Sequence, residues 1–144
     1  MLWGGRLQKP EDLLLDYTAG ENIEVDEKLI PYDIIGSIAH AKMLAEQGII
    51  SEEEGKKLVR GLQHIYKKWA RGEFRLDKKY EDVHMNVEHA LAEQIGETAG
   101  KLHTARSRND QVNLDMRMYM RHEILCLCDA INAVCTTLVS LAKK

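Results

Sequence analysis

Little in this sequence breaks a helix or staples a loop. Two prolines occur in 144 residues, Pro10 and Pro31, both in the first third. Proline removes a backbone donor and clashes with the preceding turn, so its absence after position 31 leaves the remaining chain open to long helices. Aromatics are scarce, with one Phe, two Trp and five Tyr, while Leu, Ala, Glu and Lys, all good helix formers, are plentiful. The three cysteines, Cys126, Cys128 and Cys135, are an odd number inside one apolar segment. That argues against a secreted disulfide framework and for a reducing cytosol. Nor do they form a metal motif: Cys126 and Cys128, two apart, point to different sides of a helix. Cys128 and Cys135 share a side and read as small core residues. Charge of one sign is also lacking. The formal net charge is -3, which makes no case for nucleic acid or an anionic membrane as partner. No apolar run approaches the ~18 residues of a membrane span. Met1-Leu2-Trp3-Gly4-Gly5-Arg6 lacks the basic and apolar regions of a signal peptide. A cytoplasmic protein is expected. No internal repeat or low-complexity segment is evident.

What is present fits a globular helical chain. Hydrophobic residues make up 44% and charged residues 30%, over a length near one ordinary domain and sufficient for a core without disulfides or metal. Pro10-Glu11-Asp12 can open a short helix through Tyr17, closed by Gly20. Asp26 to Gln47 reads as a helix with Leu29, Ile34, Ile38, Ala41, Met43 and Leu44 as a rough apolar stripe, Pro31 in its first turn and Gly48 as its stop. Ser51 followed by Glu54 is a capping box. It opens a helix carrying Leu58, Leu62, Ile65, Tyr66 and Trp69, which Gly72 closes. The connection between these two helices is short enough for an antiparallel hairpin. Residues 73–81 read as a charged surface loop. Asp82 caps a third helix to about Ile95, with Gly96 and Gly100 at its end. Residues 101–108 read as a polar loop. From about Asn109 to Lys144 runs one long helix, with Ser107 and Asp110 at its start. Its Met116, Met120, Ile124, Leu127, Ile131, Val134, Leu138 and Leu141 form a near-heptad seam that wants partner helices. The fold class is all-α: a small N-terminal helical domain over residues 1–108, then over 109–144 the first long helix of a central bundle.

Two stretches carry candidate chemistry. In Lys101-Leu102-His103-Thr104-Ala105-Arg106-Ser107-Arg108-Asn109-Asp110-Gln111, four cationic or potentially cationic side chains and several amides and hydroxyls lead into a helix N-terminus. Such a terminus offers free N–H groups and a partial positive charge, suited to a carboxylate or phosphate. The commoner meaning of such a pattern is a solvated basic turn that caps a helix. In Asp82-Val83-His84-Met85-Asn86-Val87-Glu88-His89, His84 and Glu88 share a helix face and default to a surface pair. The spacing does not match helical zinc motifs, so no metal is expected. Met85, Met116, Met118 and Met120 read as packing residues, and Trp3 as an anchor for the N-terminal arm.

These stretches together resemble argininosuccinate lyases. Leu2-Trp3-Gly4-Gly5-Arg6 is similar to that family's opening motif, and Asp82-Val83-His84 with Glu88 to its Asp-Ile/Val-His…Glu element. Residues 100–112 closely resemble its most diagnostic N-terminal segment. The motifs stand in the family's order and the resemblance covers the whole chain. The chain departs from the family in having Ala105 where Gly is usual, and Asn22 where a substrate-binding Ser is usual. The resemblance implies reversible cleavage of argininosuccinate to arginine and fumarate without cofactor or metal, in the active sites of a homotetramer. It implies that Arg108 and Asn109 hold succinate carboxylates with help from Ser107, that Asn22 contacts substrate, and that His84 lines or orients the pocket. The family's Thr-His proton-transfer motif and its Gly-Ser-Ser…Lys-Lys-Asn loop have no match in these residues. The chain alone is therefore expected to be inactive, and no residue in it is expected to be catalytic. The competing class is a non-catalytic helical relative, anion-binding or crystallin-like. A third alternative is another superfamily member acting on a different amine-bearing succinate.

Overall fold

A computed structural model describes Tyr17 and residues 22–143. The opening motif, Trp3 and the short helix expected after Pro10 lie outside the described residues, as does the side chain of Asn22. Among the described residues the chain is all-α, with no strand. The helices are α1 (Asn22–Asp26), α2 (Ile30–Glu46), α3 (Glu52–Ala70), α4 (Val83–Ile95) and α5 (Arg108–Ala142). Three 3-10 turns intervene, Glu27–Leu29, Lys78–Tyr80 and Gly96–His103.

The local signals act where the residue types require. Pro31 falls in the first turn of α2, where its missing N–H costs no helical bond. Gly48 takes φ +67, the left-handed conformation glycine adopts without Cβ strain. This lets the Ile49 amide return to the Leu44 carbonyl at 2.9 Å, and the chain reverses into α3. Ser51 Oγ accepts from the Glu54 amide at 3.2 Å, while Glu54 Oε2 accepts from the Ser51 amide at 2.9 Å, a complete capping box. Asp82 Oδ1 caps α4 by accepting from the Met85 amide at 2.7 Å.

The core lies where α2, α3 and α4 meet. Ile30, Ile34, Ala41 and Leu44 of α2 pack against Leu58, Leu62 and Ile65 of α3, and Val83, Val87 and Leu91 of α4 close the third side. Ala99 and Leu102 add to it from the 3-10 turn, so the expected polar loop over 101–108 contributes Leu102 to the core. The segment after α3 is not wholly a surface loop either. Phe74 and Leu76 pack against the core, and the buried Asn86 holds the segment down. Its Oδ1 accepts from the Asp77 amide at 2.7 Å, and its Nδ2 donates to the Asp77 and Asp82 carbonyls at 3.2 and 2.8 Å.

α5 belongs to this body only at its foot. Gln111 and Asp115 are buried against α2. Tyr119 packs on the core edge, and Tyr32 and His122 are hydrogen-bonded at 2.8 Å. Residues 121–143 are exposed throughout. The 35-residue helix rises about 1.5 Å per residue, so most of it projects as an arm. Along the arm Ile124, Leu127, Ile131, Val134, Leu138 and Leu141 are each more than half exposed, the seam expected from the sequence. Several sequence expectations fail here. Cys126, Cys128 and Cys135 are exposed rather than core, as are Met116 and Met120, because no other helix among the described residues reaches them. α5 also contains an 18-residue window of mean hydropathy 1.9. By length and composition it is long and apolar enough to cross a membrane, contrary to the reading that no run approaches that length. The core helix of a bundle meets the same test.

Candidate functional site

The polar groups converge on the junction of α2, α4 and the foot of α5. Asp33 and Ser37 stand one turn apart on α2, in register with the apolar Ile30, Ile34 and Ala41, so the stripe that builds the core also carries them inward. Both are completely buried. Across from them α4 presents His84 and α5 presents Gln111 and Asp115, again one turn apart and buried. α2 and α5 can approach this closely because residue 36 is glycine: a Cβ there would stand 2.9 Å from Leu114 Cδ2 and 3.5 Å from Asp115 Oδ1.

Asp33 is the hub. Its Oδ1 accepts from His84 Nδ1 at 2.8 Å and from Gln111 Nε2. Asp115 Oδ2 lies 3.6 Å from the same His84 nitrogen. Arg106 reaches in from the loop before α5, donating from Nη1 to Ser37 Oγ at 3.0 Å. Burial by itself would push the His84 imidazole down, but the hydrogen bond and charge of Asp33, with Asp82, hold it above its ordinary value. Burial, then the nearby Asp33 carboxylate, pushes Asp115 up to about 7. Burial also lowers Arg106 somewhat.

A second layer lies outside this one. Arg108 Nη1 donates to Glu88 Oε1 at 2.9 Å and to Gln111 Oε1 at 2.7 Å, and Nη2 faces Met85 Sδ at 3.7 Å. His103 Nδ1 stands 3.6 Å from Glu88 Oε1. Lys101 pairs with Glu54 of the capping box; that contact and the Ser51 amide hold the Glu54 carboxyl down to about 2. The loop is pinned further by His40 Nε2, which donates to the Thr104 carbonyl at 3.0 Å. Ala105 sits at φ +54, a left-handed conformation that is strained for a residue with a Cβ.

The sequence-predicted residues are thus divided. The four cationic or potentially cationic groups do not converge on an open anion pocket: Lys101, His103 and Arg108 each face a carboxylate, and Arg106 is drawn into the core. His84 and Glu88 are not a surface pair. They part, His84 inward to Asp33 and Glu88 outward to Arg108. Ser107 caps α5, its Oγ accepting from the Asn109 amide at 3.2 Å. Asn109 stands exposed in the first turn, beside the unsatisfied N–H groups of the helix start. Asn22 opens α1. One turn on, Asp26 Oδ2 accepts from the Val83 amide at 3.1 Å, which tethers α1 to the His84 end of α4.

Sequence reasoning missed Asp33, Ser37 and Asp115, and named Gln111 only among the polar groups before the helix. A signal existed for Asp33 and Ser37: they stand in register with Ile30, Ile34 and Ala41, where a polar residue must find a buried partner. Which partner is a tertiary matter. Donor atoms of Asp33, His84 and Asp115 lie within 4.8 Å of one another, a spacing that could embrace a metal ion. Against that use, His84 Nδ1 already serves Asp33, and the Arg106 guanidinium brings positive charge to both carboxylates. The donor set reads as a polar network of the core.

Comparison with known proteins agrees with the motif pattern. The sequence model of a family described as Lyase matches residues 5–144. Among curated relatives, the chain is 48% identical over 143 residues to a protein of Alkaliphilus metalliredigens named argininosuccinate lyase. It is 46% identical over 144 residues to one of that name from Geobacter metallireducens, and 47% over 142 residues to one from Oceanobacillus iheyensis. Each match covers 99% of this chain and 31% of the relative, so the chain spans about a third of the length of these proteins.

Proposed function

The chain belongs to the lyase family, and from that premise we propose that it is an N-terminal part of an argininosuccinate lyase, which cleaves argininosuccinate to arginine and fumarate by β-elimination in arginine biosynthesis. The observation that carries this reading is the identity of nearly half across 99% of the chain to proteins of that name. In the reaction a base takes a proton from the carbon beside a carboxylate, and the guanidinium nitrogen departs, protonated, as arginine. Charge that builds on the carboxylate must be met by donors already in place. The start of α5 suits that task. Asn109 and the free N–H groups of the first turn are the donors best placed to meet a dicarboxylate, with Ser107 ordering the turn. Arg108, held by Glu88 and Gln111, supplies positive charge behind them. Asn22 contacts substrate from α1. His84, sealed in the core, orients the site through Asp33 without touching substrate.

In this reading residues 1–108 form the N-terminal domain, residues 109–144 begin the central bundle, and the exposed seam of α5 packs in a cytoplasmic homotetramer. The base and proton donor belong to sequence beyond these residues, so the chain alone is inactive. The test is fumarate absorbance on adding argininosuccinate, with the chain alone and with the remaining two thirds of a relative supplied in trans. Silence alone and turnover on mixing is the expected result. Turnover by the chain alone overturns the assignment of the proton-transfer groups. Turnover of adenylosuccinate or aspartate but not argininosuccinate overturns the substrate. A folded mixture silent toward all three favours a non-catalytic relative.

A further inference from the structure

The buried carboxyls of the inner cluster are not satisfied as drawn. Asp33 and Asp115 are both completely shielded from solvent. Among the described residues, Asp33 Oδ2 and both oxygens of Asp115 have no hydrogen-bond donor. An ionised carboxylate only accepts, so two ionised carboxylates side by side leave three buried acceptors unmet and repel each other. Either defect costs free energy in a core that gives few other means of relief. One proton removes the repulsion and engages two of the three oxygens. A protonated carboxyl becomes a donor, the other carboxyl is its acceptor, and one of the two negative charges is gone.

The surroundings favour one proton rather than two. From α2 the pair is faced only by Asp33 itself and the neutral Ser37. From α4 His84 contributes its Nδ1 donor, 2.8 Å from Asp33 and 3.6 Å from Asp115, with Asp82 and Glu88 as more distant carboxylates. The loop before α5 brings the Arg106 guanidinium, and α5 itself brings Arg108. Asp33 is the better-served partner, with His84 and Gln111 both donating to it. The proton therefore belongs on Asp115, the carboxyl with no donor among the described residues. The two carboxyls stand on α2 and α5, and His84 on α4.

We propose that Asp33 and Asp115 hold a single proton between them at neutral pH, and that this proton latches the foot of α5 onto α2 and α4. Losing it to solvent as pH rises puts a second negative charge at the α2–α5 contact, where Gly36 brings the two helices close together. The sign is fixed by linkage. Asp115 titrates higher folded than unfolded, so its contribution to stability is full below about pH 4 and is lost as pH rises through about 7. His84, also raised, acts in the same direction above its ordinary range. The consequence is local: the first three turns of α5 loosen before the α2–α3–α4 body does. This inference concerns the fold and holds whether or not the lyase reading does.

The test is a carboxyl-carbon NMR titration of the full 144-residue chain with 13C-labelled aspartate, the Asp115 resonance being identified by its loss in Asp115→Asn. One buried carboxyl should titrate near pH 7 rather than near 4. Amide exchange, corrected for its intrinsic pH dependence, should lose protection over residues 111–119 through the same range. Asp115→Asn, whose amide can donate where the carboxyl did, should keep the fold and abolish that loss. An Asp115 resonance that titrates in the ordinary carboxylate range overturns the proposal without need of the variant. So does unchanged pH-dependent exchange in Asp115→Asn. A rise in unfolding temperature with Mn2+ or Zn2+ that vanishes in Asp115→Asn also overturns it, in favour of a metal held by the same oxygens.

Discussion

The body of this chain and the arm of α5 invert each other. In the body two carboxyls, an imidazole and a guanidinium lie among Ile, Leu and Val, while in the arm Leu and Ile face outward in regular register. Both inversions obey one rule. A side chain is placed by what its backbone can pack against, and its own polarity decides only whether that placement is satisfied. The body satisfies its polar residues with one another across three helices. The arm has no neighbour among the described residues, and its apolar stripe is a surface of the kind that marks a protein interface.

Substitutions can break this comparison in order of severity. Asp33→Ala should do most harm, because it strips the shared acceptor from His84 and Gln111 and leaves Asp115 alone. Breaking a buried polar cluster from one side costs roughly 3–5 kcal/mol, so the midpoint of urea unfolding should drop by most of the chain's stability. A value under about 1 kcal/mol would mean that the cluster is not closed. The same truncation of an apolar residue should then separate the two regions. Leu62→Ala, in the core, should cost about 2–5 kcal/mol, whereas Leu127→Ala, 60% exposed, should stay within about 0.5 kcal/mol for the monomer and instead weaken self-association in sedimentation. If Leu127→Ala destabilises the dilute chain as Leu62→Ala does, the arm is covered and the contrast fails.

Smaller effects test the local devices that hold the body together. Ser51→Ala removes one half of the capping box and should lower stability by about 1 kcal/mol. The other half is made by the Glu54 carboxylate, which Ser51→Ala leaves in place and which Lys101 and the Ser51 amide hold down to about 2. Its contribution is present above the ordinary carboxylate range and fades as pH falls, opposite in sign to that of Asp115. Ala105→Gly should raise the unfolding midpoint slightly, by about 0.5 kcal/mol, because relief of left-handed strain outweighs the added freedom of the unfolded chain. A loss there would place the strain elsewhere.

Much of the fold was legible beforehand. The capping box, the Asp82 and Ser107 caps, the stops at Gly48 and Gly72 and the apolar registers each act within a few residues, so local chemistry names them. What failed was anything requiring a neighbour. Leu102 falls within the expected polar loop because one apolar residue in a short turn carries no period. The cysteines were read as core because an apolar stripe looks the same whether or not a partner is present. The candidate site was legible in its outer layer, Ser107, Arg108 and Asn109, through the density of polar groups before a helix. Of its inner layer His84 and Gln111 were named, but the buried carboxyls they meet were not.

Sequence alone determined the helices, their ends, the seam of α5 and the resemblance that places the chain among lyases, because caps, periodicity and motifs are encoded within a turn or a short run of residues. Only the tertiary structure decided that His84 turns from Glu88 toward Asp33, that Arg108 is tied to Glu88 and Gln111, and that Asp33 and Asp115, 82 positions apart in the chain, meet in the same dry space. The reason is physical: the partner and the solvation of a buried charge depend on which helix faces it, and that is settled by packing rather than by neighbours along the chain.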